Sequence, residues 1–195
     1  MMWPGRSKDK EAPALPPVVL MGTRVYVRPP GAYDAGAWSA VRGMNEDMLR
    51  PLEPTWPDDC LTSDFFGRRL RRQARDWAQD SAYSFLIFKQ DGMLIGGINL
   101  NHVARGAAQS ASLGYWLDET HQGQGFMREA LALVMEYALD ELKLHRLNAA
   151  CLPNNKRSVS LLKALGFAEE GFAKAYYRID GAWQDHALFG FTKTE

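Results

Sequence analysis

The sequence has few of the features that mark secreted, membrane or metal-binding proteins. Only two of its 195 residues are cysteines, Cys60 and Cys151, and neither has a further Cys or His at metal-ligand spacing. No apolar run approaches the roughly 18 residues that span a bilayer. The amino-terminal segment also lacks the apolar stretch of a secretion signal. We therefore expect a cytoplasmic protein with reduced thiols, no metal and no membrane association.

An excess of charge of one sign is absent as well. Lys plus Arg and Asp plus Glu number 23 each, so no global field draws the chain toward nucleic acid. The local exception is a run of five arginines within eight residues: Arg68, Arg69, Arg71, Arg72 and Arg75. Such a run is most often a solvated helix face, and contact with RNA is the less favoured alternative. Direct nucleic-acid binding is therefore not expected.

The length and composition favour one folded domain after a short tail. Hydrophobic residues make up 46% and charged residues 24% of the chain, both close to globular averages. Residues 1–17 contain four prolines and alternating charges without periodicity, which predicts a flexible tail. Residues 18–195 are long enough to bury a substantial core and are predicted to form a single domain.

The order of hydrophobic patterns predicts a mixed α/β (α+β) sheet. Helices are expected from Asp34 to about Glu46, from Thr62 or Ser63 onward, over 123–142, and from Asn155 to just before Gly166. Strands are expected over 23–28, 83–89, 93–102, 110–117 and 146–152, followed by a hairpin of 168–178 and 183–191.

A glycine-rich segment between a strand and a long helix is the main candidate for a ligand site. Its residues are Gln122, Gly123, Gln124, Gly125, Phe126 and Met127. Glycines let backbone amides approach a bulky ligand closely, and a helix N-terminus favours a pyrophosphate. Arg128, in the first turn of the helix, adds a cation. Taken alone, a two-glycine turn is more often a plain connection without a ligand.

The stretch 114–131, GYWLDETHQGQGFMREAL, resembles the acetyl-CoA-binding motif of the GNAT acetyltransferases, Gln/Arg-x-x-Gly-x-Gly/Ala. Gln122 and Gly125 match this pattern, and Met127 departs from it at the last position. The resemblance implies that acetyl-CoA is the cosubstrate. It also implies that the strand through Trp116 and Leu117 pairs with the pantetheine arm through main-chain hydrogen bonds.

A second segment resembles the same family. Asn155-Lys156-Arg157-Ser158, followed by LLKALGF at 161–167, is similar to the Asn-x-x-Ser and Leu-Gly-Phe element after the fifth GNAT strand. The resemblance implies that Asn155 binds the cofactor arm and that Ser158 lies near its sulfur. A hydroxyl there can protonate the departing thiolate. On residue type alone, a helix-capping Asn155 and an exposed Ser158 are the commoner case.

The final hairpin, GFAKAYYRIDGAWQD at 171–185, resembles the RimJ and RimL ribosomal-protein alanine acetyltransferases, with similarity over roughly 23–192. This resemblance implies acetylation of the N-terminal α-amine of a ribosomal protein that begins with Ala or Ser. It also implies the GNAT fold, with about four helices around a six- or seven-stranded sheet. That sheet would be splayed between its fourth strand, 110–117, and its fifth, 146–152.

Two other functions stay open on the sequence alone. One is acetylation of a small amine such as an antibiotic or polyamine, and the other is binding of acetyl-CoA without catalysis. The oligomeric state is also open between monomer and homodimer.

The general base is not apparent from the sequence. Tyr177 occupies the position in the penultimate strand where RimL-like proteins carry a glutamate, and it is an alternative to Ser158 as the acid. Glu53 is the candidate carboxylate, and a loop-bracing role is about equally expected for it. An α-amine with a pKa of about 7.7 to 8.0 is roughly a tenth neutral at pH 7, whereas lysine is almost wholly charged. A missing base therefore weakly favours an α-amine substrate.

Overall fold

A computed structural model describes residues 14–193, so most of the predicted tail, residues 1–13, lies outside the described residues. The strands are β1 (Leu20–Met21), β2 (Val25–Arg28), β3 (Tyr83–Lys89), β4 (Leu94–Ala104), β5 (Ser110–Leu117), β6 (Arg146–Cys151), β7 (Ala168–Ile179) and β8 (Ala182–Thr192). The helices are α1 (Ala35–Met44), α2 (Glu46–Leu49), α3 (Ser63–Ala78), α4 (Phe126–Glu136) and α5 (Lys156–Ala164).

The strands form one mixed sheet in the order β1-β2-β3-β4-β5-β6-β8-β7. Only β5 and β6 are parallel neighbours; every other adjacent pair among these strands is antiparallel. The predicted α/β class is thus confirmed. The two-residue strand β1 brings the count to eight rather than seven. The first predicted helix corresponds to α1, which ends at Met44, and the short helix α2 that follows Asn45 was not predicted.

The sheet splays between β5 and β6, as predicted for the fourth and fifth strands of the sequence. The two strands pair only from Ser110 opposite Arg146 to Leu113 opposite Ala149. Beyond that point β5 continues to Leu117 without a partner on its β6 side. Its edge therefore carries main-chain groups that β6 does not satisfy.

Two apolar clusters cover the two faces of the sheet. One includes Leu131 of α4 and Leu162 of α5, and the other includes Trp38 of α1 and Phe66 of α3. Side chains alternate along a strand, and β5 accordingly contributes Leu113 and Leu117 to the first cluster and Trp116 to the second. We call these the α4–α5 face and the α1–α3 face.

Asp34, Thr62 and Asn155 precede α1, α3 and α5, and two of these three residues cap their helix with the side chain. The Thr62 hydroxyl accepts from the Phe65 amide at 3.2 Å, and Asn155 accepts from the Ser158 amide at 3.1 Å. Asp34 precedes α1 but does not cap it with its side chain. It already lies in a 3-10 turn, so its carboxylate accepts instead from the Gly31 amide, at 2.6 Å, and from Arg28.

Neither cysteine is disulfide-bonded, and both are buried. Within residues 14–193, none of the helices has the length and apolar character needed to cross a bilayer.

Candidate active site

A cavity of about 770 Å³ opens where β5 and β6 diverge. Much of its lining comes from the end of β5, the loop into α4, the start of α5, and the segment 48–54 that begins at the end of α2. Single residues of α1, α3, β4 and β8 and the end of β6 complete it. Most residues predicted for the site contribute to this lining, namely Glu53, Trp116, Leu117, Gln122, Gly123, Gly125, Phe126, Met127, Arg128, Asn155 and Ser158. Gln124 and Tyr177 do not.

The glycine loop has the backbone conformation that its sequence predicts. Gly123 and Gly125 have φ values of +71° and +83°, in the left-handed region that favours glycine. Gly125 immediately precedes α4, whose first N–H groups have no partner within the helix. Residues 126–128 line the cavity, so the positive end of the α4 dipole lies beside it.

Arg24, in the turn between β1 and β2, holds this loop from outside the cavity lining. Its Nη1 donates to the Gln124 carbonyl at 2.8 Å, and its Nε pairs with Glu129 at 2.9 Å. The Gln124 side chain donates to the Thr120 carbonyl, also at 2.8 Å. This hydrogen bond stabilises the loop conformation, and binding of the cofactor by Gln124 stays a prediction.

Gln122 connects the end of β5 with the start of α5 at the edge of the cavity. Its side chain donates to the Leu117 carbonyl at 3.3 Å and accepts from Arg157 at 2.6 Å. Arg157 and Arg128 both line the cavity, and neither forms an ion pair with a carboxylate among residues 14–193. Two cations beside a helix N-terminus fit a pyrophosphate, and the unpaired β5 edge fits an amide-containing arm.

A pair of hydroxyl groups lies on the α4–α5 face of the splay. The Ser158 Oγ and the Tyr115 hydroxyl are 2.6 Å apart. Burial raises the pKa of Tyr115 to about 12, so the phenol stays protonated at neutral pH. The neighbouring Cys151 thiol also has its pKa raised by burial and stays neutral. Sequence reasoning missed Tyr115, although its alternation with Leu113 and Leu117 indicates this face.

Glu53 lies on the other side of the cavity and is held by three donors. Arg42 grips both carboxylate oxygens, at 2.7 and 2.5 Å, and the Trp56 indole donates to Oε2 at 2.8 Å. This is the bracing arrangement that the sequence left open for Glu53. Its role as a general base stays a prediction.

We expect Glu53→Ala to lower the free energy of unfolding by roughly 2–3 kcal/mol, because it leaves the buried Arg42 guanidinium without its partner. Glu46→Ala is the matched control, since it removes an exposed ion pair with Arg50 and should cost only a few tenths of a kcal/mol. Urea unfolding of the two variants measures both values. Equal losses would contradict a bracing role for Glu53.

Tyr177 is not brought to the cavity. It packs against Tyr176, with ring centres 4.3 Å apart, and edge-on against His186. Burial, together with the neighbouring Tyr176 hydroxyl, raises the pKa of Tyr177 to about 12. A bulge between Ala173 and Tyr177, with φ of +47° at Ala175, interrupts the alternation of the strand. Both tyrosines can therefore contact His186, which strict alternation would not allow.

Arg69 differs from the other arginines of its run. Those four are exposed, as predicted for a solvated helix face, whereas Arg69 is half-buried and lines the cavity. Burial and the nearby Arg42 cation lower the pKa of Arg69 to about 10. The α1–α3 face of the cavity thus carries two guanidinium groups and one carboxylate, Glu53.

The splayed parallel strands and the glycine loop at a helix N-terminus define an acyltransferase site for a coenzyme A thioester. Residues 24–168 match the family described as Acetyltransferase (GNAT) domain, and the chain belongs to this family. It is an acetyl-CoA-dependent N-acetyltransferase, so the predicted fold, enzyme class and cosubstrate are confirmed.

Two curated relatives match over nearly their whole length. The Probable N-acetyltransferase YjcK of Bacillus subtilis (strain 168) is 38% identical over 87% of this chain and 94% of its own. The [Ribosomal protein uS5]-alanine N-acetyltransferase of Escherichia coli (strain K12) is 36% identical over 91% and 92%, respectively.

A solved structure of a related protein shares the fold. Mycobacterium smegmatis RimJ in complex with CoA-disulfide superimposes with a TM-score of 0.83 at 32% identity, over 86% of this chain and 81% of that one. The predicted likeness to the RimJ and RimL type is therefore confirmed.

Proposed function

We propose that the protein acetylates the N-terminal α-amine of a ribosomal protein that begins with Ala or Ser, in the cytoplasm. The observation that carries this proposal is the near full-length similarity to the uS5-alanine N-acetyltransferase. Acetyl-CoA supplies the acetyl group as an activated thioester, and the transfer is direct, within a ternary complex.

The cavity has lining residues from both faces of the sheet, which suits a two-substrate reaction. Tyr115 and Ser158 belong to the α4–α5 face, and Trp116, Arg42 and Glu53 to the α1–α3 face. We take the loop before α4 to bind the pyrophosphate and, following the resemblance of residues 155–158 to the GNAT pattern, Ser158 to lie beside the thioester sulfur. The acceptor amine then approaches from the α1–α3 face.

The charges on the acceptor face favour a neutral amine. Arg42 and Arg69 place two cations against the single carboxylate of Glu53. A net positive surrounding raises the free energy of a bound ammonium group relative to that of the neutral amine. An α-amine loses its proton far more readily than a lysine side chain. This difference supports an α-amine substrate.

On the opposite face, Ser158 donates the proton that the departing sulfur needs. The Tyr115 hydroxyl, 2.6 Å away, can return a proton to the serine oxygen, and its raised pKa keeps that proton available. Backbone N–H groups at the open edge of β5 can polarise the thioester carbonyl.

We expect Ser158→Ala to lower kcat about 10- to 100-fold, with little change in the KM for acetyl-CoA. Tyr115→Phe should cause a smaller loss. If Tyr115 acts through Ser158, the double variant should be no slower than Ser158→Ala alone. Steady-state kinetics of the three variants measure this. An unaltered kcat in Ser158→Ala would assign the proton to water.

The proposal is tested by turnover on two panels of acceptors. One contains short peptides that begin with Ala or Ser, and the other contains small diamines and aminoglycosides. We expect higher kcat/KM on the peptides. Turnover of the small amines alone would support the small-amine alternative, and no turnover of either panel would exclude both classes of acceptor.

A further inference from the structure

His186 is a buried side chain of the cavity to which the sequence assigned no function. It lies on β8, is only 3% exposed, and is part of the cavity lining. Its Nδ1 is 3.0 Å from the Gln184 carbonyl oxygen. A carbonyl can only accept, so Nδ1 carries a hydrogen, and in the neutral ring Nε2 has the lone pair. Nε2 has no hydrogen-bond partner within residues 14–193.

The strand register places His186 on the face from which the amine approaches. In the β6–β8 pair, Cys151 is opposite Ala187, and both pack in the cluster of the α4–α5 face. Successive side chains alternate, so His186 belongs to the α1–α3 face with Trp116. The imidazole and the Ser158–Tyr115 pair therefore lie on opposite faces of the splay.

The surroundings of the ring keep it oriented. From β7, Tyr176 and Tyr177 are the titratable groups against it, with ring centres 5.9 and 5.2 Å from the imidazole. The neighbouring strand β6 presents Ala150, which does not titrate, on this face. The other charged groups that line the same face of the cavity are Arg42, Arg69 and Glu53. Because the Gln184 carbonyl holds Nδ1, Nε2 is the ring nitrogen left to interact with a substrate in the cavity that His186 lines.

We propose that His186 is the general base of the acetyl transfer. The amine nitrogen bonds to the thioester carbonyl carbon and gives its proton to Nε2 of His186. The carbon–sulfur bond breaks, and the sulfur takes the proton of Ser158. The imidazolium then loses one proton to solvent, and the hydroxyl pair regains one, so both groups return to their starting states. This role rests on the proposed amine acceptor.

The test uses His186→Asn, because the asparagine amide can still donate to the Gln184 carbonyl but offers no base in place of Nε2. We expect kcat to fall about 100-fold or more. The dependence of kcat on pH should also differ from that of the wild type. The KM for acetyl-CoA and the thermal shift that CoA produces should not change. His145→Asn, at an exposed histidine outside the cavity lining, is the matched control and should match the wild type.

A second measurement does not depend on any variant. In the folded wild-type protein, long-range ¹H–¹⁵N NMR spectra should show His186 with its proton on Nδ1 and a bare Nε2. The opposite tautomer at neutral pH would overturn the proposal, as would a kcat of His186→Asn within about threefold of wild type across the pH range. If the wild type acetylates a small amine and no peptide, the substrate proposal fails, and the same comparison on that amine still tests His186.

Discussion

Replacing Gly125 with valine should abolish the thermal stabilisation that acetyl-CoA gives to the protein. A ligand that binds the folded state raises its melting temperature by mass action. Valine is strained at the φ of +83°, and its Cβ would lie 3.0 Å from Nη2 of Arg24, the residue that holds the loop. The loop must then shift, and the N–H groups at the start of α4 lose their alignment toward the pyrophosphate.

Gly92→Val is the matched control for backbone strain. Gly92 has a φ of +87° in the turn between β3 and β4, outside the cavity lining. Both substitutions force a β-branched residue into the left-handed region, at a cost of roughly 1–2 kcal/mol. Both variants should therefore melt earlier without ligand, but only Gly92→Val should keep the shift with acetyl-CoA. A normal shift in folded Gly125→Val would exclude the glycine loop from the site.

The parts of the site that were predicted from the sequence are those encoded by local patterns. The glycines at 123 and 125 mark a left-handed loop because few other residues adopt that conformation. Asn155 marks the start of α5 because its side chain satisfies a helix amide three residues later. The splay follows from the family resemblance, and the limited pairing of β5 with β6 confirms it.

The residues that were missed depend on contacts between distant segments. Tyr115 and Ser158 are 43 positions apart in the sequence, and no local pattern predicts the hydrogen bond between them. The place of His186 depends on the β6–β8 register and on a hydrogen bond to Gln184. Tyr177 was assigned to the site from its position in the RimL-like pattern, and such an assignment does not include the bulge at Ala175. The position of Arg69 in the cavity lining similarly depends on how α3 packs on the sheet.

The preference for an α-amine over a lysine amine is the second large effect that we expect. At pH 7 an α-amine with a pKa of about 7.7 to 8.0 is neutral several hundred times more often than a lysine with a pKa of about 10.4. The cations Arg42 and Arg69 line the face of the cavity that we propose for the acceptor, and they should add to this difference because they disfavour a charged amine. Selectivity of at least that order should be seen even when both amines are equally accessible.

The pH dependence of the acetylation rate should also reflect an α-amine acceptor. When the peptide is far below saturation, the rate is proportional to the fraction of enzyme and peptide in their reactive forms. It should therefore climb with pH and level off around the α-amine pKa. A rate that keeps rising toward the pKa of lysine would indicate a side-chain amine as the acceptor.

The most direct measurement of the central claim uses one peptide that contains both nucleophiles. The peptide begins with Ala or Ser and carries an internal lysine, and fragment mass spectrometry locates the acetyl group after reaction with acetyl-CoA. The same peptide with a blocked N-terminus is the control and should not react. We predict acetylation of the terminal amine alone. Acetyl groups on the lysine side chain, or reaction of small diamines only, would contradict N-terminal acetylation.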